Sequence, residues 1–248
     1  MTAGAFTVDR RTHGRRVVAA FVPHPPLLVP ALAAGAAPEV LTLLESCEAA
    51  VAVLLTPSPH TVICVGGGSR TAIHPVSAWG SLAGYGVDVA APEVHDPAEA
   101  TLPLSLTIGR WLLDRAGWRG DTVLQEIDVE ARPDDCAAVG RSLAADAGDG
   151  PAWLVLGEGA ATRSERAPGY FDARAQGFDA SVALALADGD PAALTGLDPA
   201  LAAAVGAAGR AAWQVLAAGV GDRPMTRARL RFDAAPYGVG YLVANWWS

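Results

Sequence analysis

Apolar residues along this chain come in two rhythms: short unbroken runs, and longer stretches in which they recur every three or four residues. The runs are rich in Val and end at Pro or Gly, the pattern of strands buried on both faces of a sheet. Arg16 to Val22 is the first, stopping at Pro23-His24-Pro25-Pro26. Val40, Leu43, Leu44, Cys47, Val51, Leu54 and Leu55 then form one stripe of an amphipathic helix. Pro38 opens it at the first helical position, and Glu39 behind it favours the helix dipole. Pro57 and Pro59 end it, and Thr61 to Val65 is a second buried strand running into Gly66-Gly67-Gly68. Strand, helix, strand is a βαβ unit, whose crossover is right-handed.

The alternation continues. Gly84 to Ala90 is expected as a strand, Asp96-Pro97-Ala98-Glu99 as a helix start, and Leu104 to about Ala116 as a helix with Leu106, Trp111 and Leu112 inward. Thr122 to Val129 is a strand, Asp134 caps a helix to about Ala145, and Trp153 to Leu156 is a strand ending on Gly157-Glu158-Gly159. Phe171, Ala175, Phe178, Val182 and Leu186 share a helical face. Asp190-Pro191 and Asp198-Pro199 open a short helix and a longer one reaching about Ala217. Met225 to Phe232 alternates Arg227, Arg229 and Arg231 with Ala228 and Leu230, a strand with one wet face, and Val239 to Ala244 closes the sheet. The expected architecture is one α/β domain over 17–248, a mixed, mostly parallel central sheet with helices on both faces, after a polar tail over 1–16.

Composition narrows the function classes. The chain has 248 residues with 18 basic against 26 acidic side chains, a formal charge of −8, and every base is Arg. An acidic surface with scattered Arg argues against nucleic acid as a partner. No apolar stretch approaches the roughly 20 residues of a membrane span, and the run after Arg15 and Arg16 meets proline too early for a signal peptide. Cys47, Cys64 and Cys136 are odd in number and widely spaced, as expected of buried thiols in a reducing, cytoplasmic setting.

In open α/β sheets ligands gather beyond the carboxyl ends of the strands. His24 after the first strand and Glu158 after the fifth are the candidate acid/base residues there. The prolines on either side of His24 stiffen its backbone. Gly66, Gly67 and Gly68 are the candidate substrate-binding backbone, through close approach and exposed N–H groups or simply as a turn. His74 and Arg163, expected in surface loops, are further substrate-binding candidates. His13 is placed in the tail, His60 at the opposite end of its strand, and His95 in a loop. No His or Cys pair has metal-ligand spacing, there is no phosphate-loop Lys, and no G-x-S-x-G elbow exists. The final Trp246-Trp247 is either core or a subunit contact.

Several of these segments resemble the class III extradiol ring-cleavage dioxygenase family, in its catalytic B-subunit-like branch. Val22-Pro23-His24-Pro25-Pro26-Leu27-Leu28-Val29-Pro30 is similar to the family's opening motif, and Gly157-Glu158-Gly159 to its later Gly-Asp turn. The helical run from Gly169-Tyr170-Phe171-Asp172 through Ala187-Asp188-Gly189-Asp190-Pro191 to Gly209 and the segment Ala235-Pro236-Tyr237-Gly238-Val239-Gly240-Tyr241 resemble later parts of bacterial members, in the same order. The resemblance implies the fold, an Fe(II) held by two His and one Glu, and a further His acting on a catechol and dioxygen. Only His24 matches a ligand position. Gly66-Gly67-Gly68, Ala160-Ala161-Thr162 and Ala207-Ala208-Gly209 stand where the other groups belong. A facial triad so depleted does not hold ferrous ion in the usual way. The expectation is a divergent relative without the full iron site that binds a small anionic or aromatic molecule or serves as a subunit for a partner, with a homo-oligomer as the expected form of any self-assembly. The alternative is an active ring-cleavage oxidoreductase with a rearranged metal site.

Overall fold

The computed structural model describes residues 17–33, 38–147, 150–222 and 225–248. The tail over 1–16, with His13, lies outside them. Strands β1 (Val18–Val22), β2 (Thr61–Gly68), β3 (Ala72–His74), β6 (Asp121–Asp128), β7 (Ala152–Leu156), β8 (Arg227–Ala234) and β9 (Tyr241–Trp247) form a seven-stranded sheet in the order β3-β6-β2-β7-β1-β9-β8. Its centre, β6-β2-β7-β1, is parallel. β3 and β9 run against their parallel neighbours, and β8 against β9, so the sheet is mixed. A small separate hairpin pairs β4 (Gly80–Ser81) with β5 (Ala90–Ala91).

Period-2 alternation sends each strand's apolar residues to two cores. Ala20, Val22, Val62, Cys64, Leu124 and Leu154 face the helices α1 (Pro38–Leu55) and α2 (Leu104–Arg115). Phe21, Ile63, Val65, Ile127, Trp153 and Val155 face α3 (Pro133–Asp146), α4 (Ala175–Asp188), α5 (Pro191–Thr195), α6 (Pro199–Ala204) and α7 (Arg210–Val220). Helices therefore cover both faces. Asn245, fully buried in β9, donates to Ala19 O at 3.2 Å and to Ala50 O at 3.0 Å, tying β9, β1 and α1 together. Trp246 is core, edge-to-face with Phe21 at 4.7 Å, and Trp247 beside it is half-buried. All three cysteines are buried, and burial pushes the Cys64 thiol up to about 12. No helix of the described residues is long and apolar enough to cross a membrane.

Five expectations need correction. The strand over Gly84 to Ala90 is a 3-10 turn at Ala83–Tyr85 and the two residues of β5. Asp96 starts no helix, because its carboxylate accepts from Ala98 N at 2.9 Å and closes an isolated turn. The long helix after Asp198-Pro199 breaks at Gly206, whose φ of 68° ends α6 before α7 begins. Phe171 lies ahead of α4 and is exposed, and Trp111 is only half-buried, with the Arg115 guanidinium over its ring. The short β3 carries no apolar run and was not anticipated.

The tightest crossing lies between α3 and α7, at Gly140 and Gly219. A Cβ on Gly140 would collide with Val215 O of α7 and stand 3.0 Å from Gly219 N. Neither is a movable side-chain end. Gly140→Ala is expected to cost about 2 kcal/mol by overpacking, despite alanine's better helix propensity. Urea denaturation checks this; an unchanged or higher midpoint would contradict the backbone contact.

Candidate functional site at the carboxyl ends of the parallel strands

The parallel register sets His24 and Glu158 level with each other at the carboxyl ends of neighbouring strands, the place where open α/β sheets form their ligand crevice. β7 lies between β1 and β2, with Val22 level with Leu156 and Leu156 level with Gly66. Gly157 N donates to Val22 O at 3.0 Å, carrying the ladder one step past the strands. His24 and Glu158 each follow two residues after the paired Val22 and Leu156. The His24 ring is buried (8% exposed) between Pro23 and Pro25, with the turn Pro26–Leu28 closing behind it through Leu28 N to Pro25 O at 3.0 Å. Its Nδ1 is buried without a hydrogen-bond partner. A buried polar atom left unpaired costs about 1–3 kcal/mol, so this nitrogen is unused by the fold.

Tyr241 belongs to the same end of the sheet. Burial chiefly, then the nearby Glu158 carboxylate and Tyr237, hold its phenol well above the usual range. It therefore stays an O–H donor at neutral pH. Glu158 is half-buried, and its carbonyl accepts from Gly209 N at 2.9 Å, which pins its loop to the start of α7. One acceptor carboxylate, one phenol and one imidazole with an unused nitrogen can hold and orient a small polar or aromatic molecule.

The other candidates are employed elsewhere. Gly66, Gly67 and Gly68 are not a loop cradle but the last three residues of β2, paired in register with Glu126, Ile127 and Asp128. A Cβ on Gly66 would stand 2.5 Å from Ser105 Oγ, and one on Gly67 would stand 2.8 Å from Val129 Cγ1. His74 is not on a surface loop either. It is buried on β3, with Nε2 2.8 Å from Glu126 Oε2, and Glu126 also accepts from Ser69 N at 2.9 Å. Glu126 is on β6, three strand spacings or about 14 Å from β1, and His74 is one strand further, so the pair is not brought to His24. Arg163 pairs with Asp179 of α4 at 2.7 Å. His95 stacks on Trp79 at 4.0 Å, and His60 is exposed at the amino end of β2.

Asp179, beside the Glu158 loop, and Glu126, away from it, are the buried carboxylates that the sequence patterns did not single out. Each is a buried carboxylate on an otherwise apolar stripe: Asp179 lies between Ala175 and Val182, Glu126 follows Leu124. A lone acid at a core-facing position was the available signal. Asp179 also accepts from Ala160 N at 2.7 Å.

Two cavities, of about 900 and 510 Å³, lie at the opposite, amino end of the parallel strands, around Trp111, Trp118 and Arg115. Neither contains a residue of the crevice. Among the described residues no three His, Cys, Asp or Glu side chains stand together as a metal-holding group. The donor set around His24 therefore does not fit an iron centre of two His and one Glu.

No family model and no curated protein matches the chain. Its structure is similar to the crystal structure of an uncharacterized protein from Escherichia coli K12, with 13% identity and a TM-score of 0.47, over 92% of this chain and 98% of that one. A likeness of that extent assigns no activity.

The Asp179–Arg163 pair makes the crevice sensitive to pH. Burial, opposed by Ala160 N and Arg163, holds the Asp179 carboxyl above its ordinary range. A carboxyl raised in the folded chain keeps its proton longer than in the unfolded chain, so the associated stability is present at low pH and lost as pH rises through the raised value. Arg163→Ala removes the cation and widens that difference. The loss should be about 2 kcal/mol at pH 7 and smaller at pH 4, by urea denaturation at both. Equal losses would contradict a carboxylate that depends on Arg163 for its charge.

Proposed function

We propose that this chain is a divergent relative of the class III extradiol dioxygenases that has kept the family's first histidine but works without a ferrous centre, binding a small anionic or aromatic molecule in the crevice at the strand carboxyl ends. The observation that carries the reading is the His24 ring, rigidly held and buried, with Nδ1 unpartnered and, among the described residues, no group of three metal donors that includes it. His24 supplies a hydrogen-bond donor or acceptor according to its tautomer, Tyr241 a phenolic donor, and Glu158 an acceptor that fixes the ligand's orientation. His24 and Glu158 are the pair able to move a proton on a bound molecule. The order of segments from Val22-Pro23-His24 to Tyr241 supports the family placement.

Anaerobic incubation with ferrous ion, removal of the excess and measurement of iron test this directly, together with oxygen uptake on a panel of catechols. The expected result is iron far below one per chain and no oxygen uptake. Stoichiometric iron with oxygen uptake would overturn the reading in favour of an active oxidoreductase with a rearranged site. In parallel, His24→Ala should change stability by less than about 1 kcal/mol, because no hydrogen bond is lost, while abolishing the thermal shift given by any aromatic carboxylate that binds the parent. A stability loss of several kcal/mol would make His24 a structural residue.

A further inference from the structure

β8 is the last strand of the sheet, so its outer backbone groups face no other strand among the described residues. It carries Arg227, Arg229 and Arg231, and none of the three has a carboxylate within 4.0 Å among the described residues, in a protein whose formal charge is −8. Most of the chain's other described ion pairs show where arginines go when acids are available: Arg115 to Glu48, Arg163 to Asp179, Arg174 to Asp172. The three on β8 share a face. Arg229 is level with Asn245, and Arg231 donates through Nε to Asn245 Oδ1, while Asn245 donates to Ala50 O of α1. Arg227, two residues before Arg229, falls on the same side, level with Trp247. A bulge between Leu230 and Phe232 keeps Arg231 there although Phe232 also enters the core beneath α1.

The α1 flank toward this row offers little compensation. Glu48 occupies the flank facing α2, where it meets Arg115. Helical spacing puts Thr42, Ser46, Ala49 and Val53 on the opposite flank, with Glu39 a full two turns beyond Ser46 toward the helix start. Burial first, and then the Arg229 charge, lower the Arg231 pKa.

We infer that the outer edge of β8 is a docking site for an extended, acidic segment of a partner protein, which adds as the next strand and sets alternate carboxylates against Arg227, Arg229 and Arg231. Arg227 and Arg229, at i and i+2 before the bulge, stand at the strand repeat of about 6.6 Å, the same interval as alternate side chains of an added strand, and the bulged Arg231 extends that row. A single phosphate spans too little of that row. A long nucleic acid meets the whole protein's negative field, whereas a short segment responds to charges within about 8 Å, where the three arginines dominate. A second copy pairing through β8 would oppose arginine to arginine, which is destabilising. The row therefore repels its own kind and admits an acidic strand.

The test is a fluorescence-anisotropy titration of the full chain against a labelled synthetic peptide, Thr-Glu-Val-Glu-Thr-Glu-Val, at low salt. Saturable binding is expected that weakens with added salt and falls about tenfold in Arg229→Glu. Arg119→Glu, the same charge change at an exposed position away from β8, should stay within about twofold of the parent. The peptide with Lys for each Glu should not bind. Absence of binding, equal loss in both variants, or full competition by inorganic tripolyphosphate at equimolar concentration would each overturn the proposal. So would a parent dimer that Arg229→Glu dissociates, which would give the edge to a second copy.

Discussion

The geometry of the crevice depends on one buried carboxylate. Asp179, 1% exposed on α4, stands between Gly159 and Gly240, the loop after β7 and the start of β9. A Cβ on either glycine would collide with it, so both positions are reduced to backbone. Asp179 then takes Ala160 N with one oxygen and Arg163 with the other, and Arg163 N itself donates to Gly238 O at 3.0 Å. Gly159 N to Gly240 O and Gly240 N to Ala160 O, both 2.8 Å, complete the join. Two loops that would otherwise drift apart are thus held as one wall, carrying Glu158 on one side and Tyr241 on the other. A buried charge is costly unless paired and hydrogen-bonded, and here both conditions are met.

The two buried histidines of this end of the sheet show how differently one side chain can be used. His74 has a carboxylate at 2.8 Å, and that carboxylate is saturated by backbone amides and Arg70, so the pair closes the turn between β2 and β3. The glycine end of β2 serves this closure, since Gly68 leaves room for Glu126. His24 has none of this. Its Nδ1 is buried and has no hydrogen-bond partner. The fold uses one imidazole in a hydrogen-bonded pair and leaves the other's Nδ1 unpaired.

The central strands and the amphipathic helices were legible because burial on both faces forces unbroken apolar runs, as in Val62 to Val65, and one-sided burial forces the spacing of Val40, Leu43, Cys47 and Val51. The runs alone left the strand order open: that β7 lies between β1 and β2, making His24 and Glu158 neighbours, is seen only in the pairing itself. What was not legible depends on long-range contact. Ala72–His74 has exposed Ile73 at its centre and becomes a strand only by pairing with β6. The glycines of β2 read as a turn because the groups that fill their missing side chains, Ser105 and Glu126, are distant in sequence. Arg163 read as a free loop cation because its partner is on α4.

The account rests on His24 standing without companions able to hold a metal. Histidine-selective 15N NMR of the labelled chain, titrated anaerobically with ferrous ion, observes that ring directly. The account predicts that the His24 nitrogen resonances keep their position and width at one equivalent. Paramagnetic broadening or shift of those resonances that saturates at one equivalent would contradict it.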